Sequence, residues 1–349
     1  MAVSILPGDA GSDTSMNNVL ITGASGFIGS FLVEEGLKRN FEVYAGIRRT
    51  SSKEYLKDRR IHLLEMDFSS AGGLTETLNL LKEQGIRFRY IVHNAGITKA
   101  VRKDDFFRVN VRNTQNFIEA LVTTGMVPDK FIYISSLAAF GPGDPVTMDP
   151  IKHSDPPKPV ECYGKSKLEA EQFIQKLDSI PWLIFRPTGV YGPRERDYFV
   201  FFKTMKRGIE TYIGSGRQVL TFIYVKDLVR LIFDAMSSPV TGCAYFVSDG
   251  KEYDTQTFAA ITKRILQKKT IRITVPALIV KHLAAWLETI YGLWGSSPTL
   301  NKDKYRVLSS SNWRCEVEPL QSDFGFAAEY DLEKGVTETI NWYKTEHWL

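Results

Sequence analysis

Cysteine is scarce. The chain has three in 349 residues, Cys162, Cys243 and Cys315, far apart and odd in number. That excludes a disulfide framework, and no pair has metal-ligand spacing, so reduced thiols in a cytoplasmic protein without a metal are expected. Charge of one sign is lacking too. The 44 basic and 40 acidic residues leave a net charge of +4. The basic residues come in short pairs, such as Arg48-Arg49 and Arg59-Arg60, which argues against nucleic acid as a partner.

Long apolar runs are also missing. The most apolar stretch, residues 275–294, contains Pro276, Lys281, His282 and Glu288, whereas a membrane-spanning helix needs about 20 mostly apolar residues. No integral span is expected. The stretch reads as an amphipathic helix packed into a core; the alternative is a lid, or a peripheral membrane contact that admits a lipid-like substrate. Residues 1–17 lack the cationic start and apolar middle of a signal peptide and predict a flexible tail.

The first half alternates short, near-continuously apolar runs with helical patterns, which predicts a buried parallel sheet covered by helices. Strands are expected at 19–22, 42–47, 61–66, 90–93, 131–135 and 183–186, and helices around 28–39, 74–83, 106–124 and 163–177. After Arg186 the rhythm changes at Pro187, Gly189, Gly192 and Pro193, and again at Gly214-Ser215-Gly216. Further helices are expected at about 197–207, 226–237, 255–266 and 332–344. The fold class is α/β: a Rossmann-type doubly wound parallel sheet with a smaller, mostly helical C-terminal substrate domain. The expected division is 18–187 plus about 219–250 for the first unit, and about 188–218 plus 251–349 for the second.

The run Val19-Leu20-Ile21-Thr22-Gly23-Ala24-Ser25-Gly26-Phe27-Ile28-Gly29 passes from strand through a tight turn into a helix. Gly23 permits the turn, Gly26 lets backbone N–H groups reach a pyrophosphate, and Gly29 allows helix to pack on strand. With Ser25, Phe27 and Ile28, these residues are expected to hold the anion at a helix N-terminus. An acid at the end of the second strand would bind a ribose 2′-hydroxyl. The chain has Ile47-Arg48-Arg49 there, which favours NADP(H), with NAD(H) as the alternative. Asp67, after the third strand, is placed either to meet the adenine edge or to serve as a solvated turn residue.

Tyr163 and Lys167 are four apart and share one helix face. A free tyrosine has a pKa of about 10; a lysine cation beside it, with the positive nicotinamide ring, favours the phenolate. Tyr330 and Lys334 repeat the spacing, but that copy opens the last helix without a comparable strand before it and reads as structural. Before Tyr163 comes Phe131-Ile132-Tyr133-Ile134-Ser135-Ser136, a strand ending in two hydroxyls at the crevice where α/β sheets bind ligands.

In this order the chain resembles an extended short-chain dehydrogenase/reductase, from Val19 to about Asp227 and more weakly to the end. The resemblance is carried by the glycine loop, His93-Asn94-Ala95-Gly96, Asn110, Ser135-Ser136 with Phe140-Gly141, Tyr163 to Lys167, Arg186-Pro187, and Val190-Tyr191-Gly192-Pro193. It implies Tyr163 as general acid/base, Lys167 as its partner, Ser136 rather than Ser135 as the catalytic hydroxyl, and Asn110 as an active-site or helix-bending residue. It further implies that Asn94, Ala95, Gly96, Phe68, Pro187 and Val190 border the cofactor, that His93 is structural, and that two copies pair through the helices after the fourth and fifth strands.

Members of this family act on nucleotide sugars, steroids and simpler ketones. The nucleotide-sugar enzymes commonly carry an Arg where this chain has Leu220; Arg217, three residues away, would face the opposite side of a strand. The region around Leu220 and the last helix look more like hydroxysteroid and sterol dehydrogenases. Tyr198, Phe199, Phe201, Phe202, Trp286, Tyr291 and Trp294 would line an apolar cleft or fill a small core. The expected reaction is hydride transfer to or from a bulky, steroid-like alcohol or ketone, with Thr98, Ser136, Leu137, Thr188, Tyr198 and Phe222 toward the substrate. A 4-epimerase is the alternative. Leu137-Ala138 after Ser136 counts against a dehydratase, and the intact Ser, Tyr and Lys count against a non-catalytic nucleotide sensor.

Overall fold

The computed structural model describes residues 17–214, 218–294, 298 and 300–349. The expected tail apart from Asn17, and Ser215, Gly216 and Arg217, lie outside the described residues.

In chain order the elements are β1 (Asn18–Thr22), α1 (Phe27–Lys38), β2 (Glu42–Ile47), β3 (His62–Glu65), α2 (Ala71–Glu83), β4 (Tyr90–His93) and α3 (Lys103–Phe107). There follow α4 (Asn113–Thr124), β5 (Lys130–Ile134), α5 (Cys162–Ile174), β6 (Trp182–Pro187), β7 (Gly189–Tyr191) and α6 (Asp197–Lys206). Then come β8 (Ile209–Ile213), β9 (Val219–Leu220), β10 (Phe222–Tyr224), α7 (Val225–Met236), β11 (Cys243–Val247), β12 (Tyr253–Asp254) and α8 (Thr255–Leu266). The chain ends with β13 (Ile271–Val275), α9 (Ala277–Leu293), α10 (Lys302–Ser309), α11 (Glu318–Phe324) and α12 (Leu332–Thr345).

Seven parallel strands form one sheet in the order β11-β6-β5-β4-β1-β2-β3. The chain enters at β1, winds outward to β3, then crosses back to β4 and winds the other way. That reversal opens a crevice between β1 and β4. Register aligns the strand ends: Thr22 lies opposite His93, and His93 opposite Tyr133, so the loops after β1, β4 and β5 leave at one edge. Alternating side chains divide between two cores. Val19 and Ile21 pack with α1 and α7, and Leu20 packs with α2 and α4 on the other face.

The helix expected over 106–124 is interrupted. Between α3 and α4 lies a π-helical turn, Arg108–Arg112, centred on the fully buried Asn110. Such turns arise where a side chain is recruited out of the ordinary ladder.

The remaining chain builds a third, aromatic core. Phe258 stacks on Phe201 at 4.8 Å and on Phe222 at 5.3 Å, and Phe202 and Tyr343 are fully buried beside them. Here the core reading of the rings holds for Phe201 and Phe202. Helix α9 is different and corrects the expectation of core packing. Only its small side, Val280 and Ala284, is buried, while Trp286 and Tyr291 are exposed, as is Trp294 just after it. Among the described residues no helix is long and apolar enough to cross a membrane.

Residues 311–316 lace the two halves together. Asn312 accepts from Gly143 N at 2.9 Å and donates to the carbonyls of Asp144 and Asp149, while Arg314 and Glu316 bridge to Ile151. On the other side Ser311 and Trp313 bond Val219.

Candidate active site

At the crevice, Gly23 adopts a left-handed φ of 64°, and a Cβ on Gly29 would lie 2.1 Å from the Gly23 carbonyl oxygen. No side chain at Gly29 is compatible with that approach. Gly26 is the N-cap of α1 and has no side chain to satisfy the helix N–H groups, which leaves them directed outward with the positive end of the helix dipole. Ser25, Phe27 and Ile28 are half-buried around this turn. The strand, tight turn and uncapped helix start thus follow one another as the glycine spacing predicts. Arg194 adds a feature that sequence reasoning missed. It reaches back to donate to Ser30 Oγ at 2.9 Å, with its guanidinium between the Phe31 and Tyr55 rings. Its position after Gly192-Pro193 is the only signal the sequence offers.

A hydrogen-bonded chain runs from β1 to the π-helical turn. Thr114 Oγ1 donates its proton to the Asn110 carbonyl, so it accepts from His93 Nε2 at 3.0 Å. The neutral ring is then bare at Nδ1, which accepts from Thr22 Oγ1 at 2.9 Å, and Thr22 Oγ1 accepts in turn from Ala95 N at 3.1 Å. Burial drives the His93 pKa down to about 3, with the Lys167 cation adding to the effect. A neutral, clamped imidazole is structural, as expected. Asn110 spends its side chain on three bonds: its oxygen accepts from Ile97 N at 2.8 Å, and its nitrogen donates to Ile97 O and to Ser166 Oγ. Gly96 lies directly against this amide. Asn94 reaches toward Gly23 O at 3.5 Å.

Helix α5 presents Tyr163 and Lys167. A Cβ on Gly164 would sit 2.1 Å from Ala138 O, so the glycine lets the start of α5 close onto the turn that follows Ser136. There the Ser136 hydroxyl lies close enough to the Tyr163 hydroxyl to oppose the rise in its pKa, while Ser136 Oγ accepts from Ala138 N at 3.2 Å. Glu161 caps the helix, accepting from Tyr163 N and Gly164 N at 2.6 and 2.7 Å. Burial raises its carboxyl to about 7 in spite of those bonds. Lys167 Nζ donates to Ile134 O at 2.7 Å and to Tyr133 OH at 3.3 Å, and burial lowers it to about 8. In the protein itself the Tyr163 pKa stands opposite to the direction expected of the lysine and the nicotinamide ring together. Burial raises it well above the usual value, the Ser136 hydroxyl opposes that, and the Glu161 charge adds to it. The Lys167 ammonium is directed to β5 instead.

The two serines separate cleanly. Ser135 Oγ donates to Glu171 Oε1, whose other oxygen takes two bonds from Arg186 at 2.7 and 2.9 Å in a buried ion pair. Arg186 in turn lies over the Phe140 ring and beside His153. Ser135 is thus part of the wall, and Ser136 faces Tyr163.

Other expected residues divide. Arg48 and Arg49 are exposed at the end of β2, where the reading placed them. Asp67 is exposed and bonds Ser69 N and Oγ, so its carboxylate serves a turn. The Phe68 side chain is buried against Phe117, which leaves only its backbone toward the crevice. Pro187 ends β6, and Val190 pairs with Ile223. Thr188 Oγ1 is buried and has no hydrogen-bond partner among the described residues, a free polar group at the carboxyl edge. Tyr198 packs its hydroxyl against Gly189. Thr98 is exposed. Leu137 and Phe222 are corrected: both are core residues, the first with Phe140, Ile151 and Phe246, the second with Phe258. Leu220, where an Arg was absent, lies in β9 paired with Tyr253. Among the described residues no group of His, Cys, Asp and Glu is placed to hold a metal.

Residues 19–247 match the model of the NAD dependent epimerase/dehydratase family. The chain is 25% identical over 334 residues to a ceramide reductase of Caulobacter vibrioides, covering 95% of this chain and 96% of that one. It is 24% identical over 346 residues to the sterol-4-alpha-carboxylate 3-dehydrogenase erg26 of Schizosaccharomyces pombe, covering 95% and 98%. In structure it is similar to a UDP-glucose 4-epimerase of Thermotoga maritima solved with UDP-glucose. The TM-score is 0.75 at 20% identity, over 95% of this chain and 99% of that one.

Proposed function

The chain belongs to the NAD dependent epimerase/dehydratase family, and from that premise we propose that it moves a hydride between a nicotinamide dinucleotide and the secondary alcohol or ketone of a bulky, largely apolar molecule. Family membership makes it an NAD(P)-dependent enzyme of the extended short-chain type. The observation that carries the reaction is the Ser136–Tyr163 hydroxyl pair at the edge of the parallel sheet. Ser136 holds the substrate oxygen while Tyr163 delivers a proton to it in reduction and removes it in oxidation. Bound nicotinamide supplies or accepts the hydride. Lys167 and the uncapped α1 N-terminus hold the ribose and the pyrophosphate, and Thr188 Oγ1 offers a bond to a polar group entering beside Pro187.

Arg48 and Arg49 favour NADP(H), because two exposed guanidinium groups stand where an acid would select NAD(H). The apolar substrate is supported by Leu220 in place of a cation and by the ceramide- and sterol-directed relatives. Pairing of two copies through α4 and α5 belongs to the same reading.

The test is titration of the purified chain with NADPH and NADH, then a screen of apolar ketones and alcohols by nicotinamide absorbance. A net change that depends on substrate is expected. Tightly held cofactor with conversion of a sugar nucleotide and no net absorbance change would replace this reading with a 4-epimerase.

A further inference from the structure

Helix α9 turns its apolar side outward. Leu278, Ile279, Leu283 and Trp286 are 43–63% exposed, while Val280 and Ala284 are buried against the fold. Ile279, Leu283, Trp286 and Ile290 follow one another at spacings of four, three and four residues, which places them in a single stripe. Strand β13, joined to α9 through Pro276 alone, exposes Ile271 at 74% and Ile273 as well. A patch of this kind on a folded chain marks a contact with something apolar.

The charge leading into and along most of this stretch is positive. Residues 255–287 contain no Asp or Glu, and Glu288, the one acid of α9, accepts from Lys302 N at 3.0 Å. Lys263 and Arg264 are paired with Glu210 and Glu333, and Arg272, between Ile271 and Ile273 on β13, turns away from them over the Tyr212 ring, but Lys268, Lys269 and Lys281 are exposed with no carboxylate partner among the described residues.

We infer that the β13–α9 face rests on the surface of an anionic lipid bilayer. The apolar stripe enters the boundary between headgroups and acyl chains, tryptophan side chains lie at that depth, and the free cations meet acidic headgroups. A second copy of the chain is the poorer occupant. A two-fold contact through this face would set the same three lysines against themselves. The inference stands on the exposed face itself and not on the reading of the substrate.

The full chain is tested by sedimentation with vesicles of phosphatidylcholine alone and with roughly 30 mol% phosphatidylglycerol added. Binding to the anionic vesicles is expected, roughly tenfold weaker on neutral vesicles or in high salt. Leu278→Ser with Trp286→Ser, and separately Lys268→Glu with Lys269→Glu, each weaken it while melting temperature and cofactor binding stay unchanged. Failure to bind anionic vesicles overturns the inference, as does equal binding by the variants. Self-association abolished by Trp286→Ser, without vesicle binding, assigns the face to a second copy.

Discussion

Asn110 Nδ2 donates to Ser166 Oγ at 2.9 Å, and Ser166 Oγ donates onward to the Tyr163 carbonyl at 2.7 Å. The π-helical turn is thereby fastened to the helix that carries Tyr163 and Lys167, and the same amide fixes both backbone groups of Ile97. Asn110 is a positioning residue in this arrangement.

Asn110→Ala should therefore affect stability and turnover together. Leaving the half-buried Ile97 N–H without its partner costs about 1–3 kcal/mol, read from denaturant unfolding. Turnover should fall further than stability explains, with the KM for cofactor changed less than kcat. A variant that melts lower but turns over normally once folded would remove Asn110 from the positioning role.

Tyr163→Phe should lower kcat by about 10²–10⁴-fold with cofactor binding retained, and Ser136→Ala by roughly 10²-fold. Ser135→Ala is the contrast. Its loss strips a bond from the buried Glu171–Arg186 pair, so melting temperature should drop while Ser136 and Tyr163 continue to work. Equal losses of kcat in the two serine variants would contradict the division drawn between them.

Two buried groups should give stability opposite dependences on pH. The folded His93 pKa, about 3, lies below the usual 6.5. Its contribution is present above pH 6.5 and is lost as pH falls toward 3. The folded Glu161 pKa, about 7, lies above the usual 4.5. Its contribution is full below pH 4.5 and is lost as pH rises through 7. Glu161→Gln removes the second dependence, so melting temperature should climb more steeply between pH 5 and 7 than in the parent. Parallel curves for the two proteins would show that Glu161 does not titrate in that range.

Arg48→Ala with Arg49→Ala should raise the KM for NADPH by roughly 10- to 100-fold and leave that for NADH nearly unchanged. Initial rates with each cofactor decide it. Equal changes for both would assign the pair to general charge rather than to a 2′-phosphate.

The sheet and the glycine loop were legible because both obey short-range rules. Strands buried on both faces, such as β1 and β5, read as unbroken apolar runs, and the turn at Gly23 is encoded within a few residues. What failed depended on partners distant in sequence. The π-helical turn, to which only the resemblance pointed through Asn110, exists because Asn110 meets Ile97 and Ser166. The buried Glu171–Arg186 pair gives no local signal, since each residue alone is an ordinary surface type. Phe222 and Leu137 were placed toward substrate by their neighbourhood in the chain, yet Phe258 and Phe246 claim them. The apolar period of α9 was visible, but period alone cannot say which side faces the protein.

The lacing of residues 311–316 across Gly143, Ile151 and Val219 has a consequence for synthesis. A chain emerging from the ribosome completes β1 to β6, and with them the phosphate turn and the tyrosine helix, long before residue 311 is made. Until then the loop beyond Ser136 lacks its bonds to Asn312, Arg314 and Glu316, and Cys162 N lacks the one that Asp303 supplies at 3.2 Å. Nucleotide binding can thus precede catalytic order during translation. Chains cut short before residue 303 would be able to sequester dinucleotide without being able to use it.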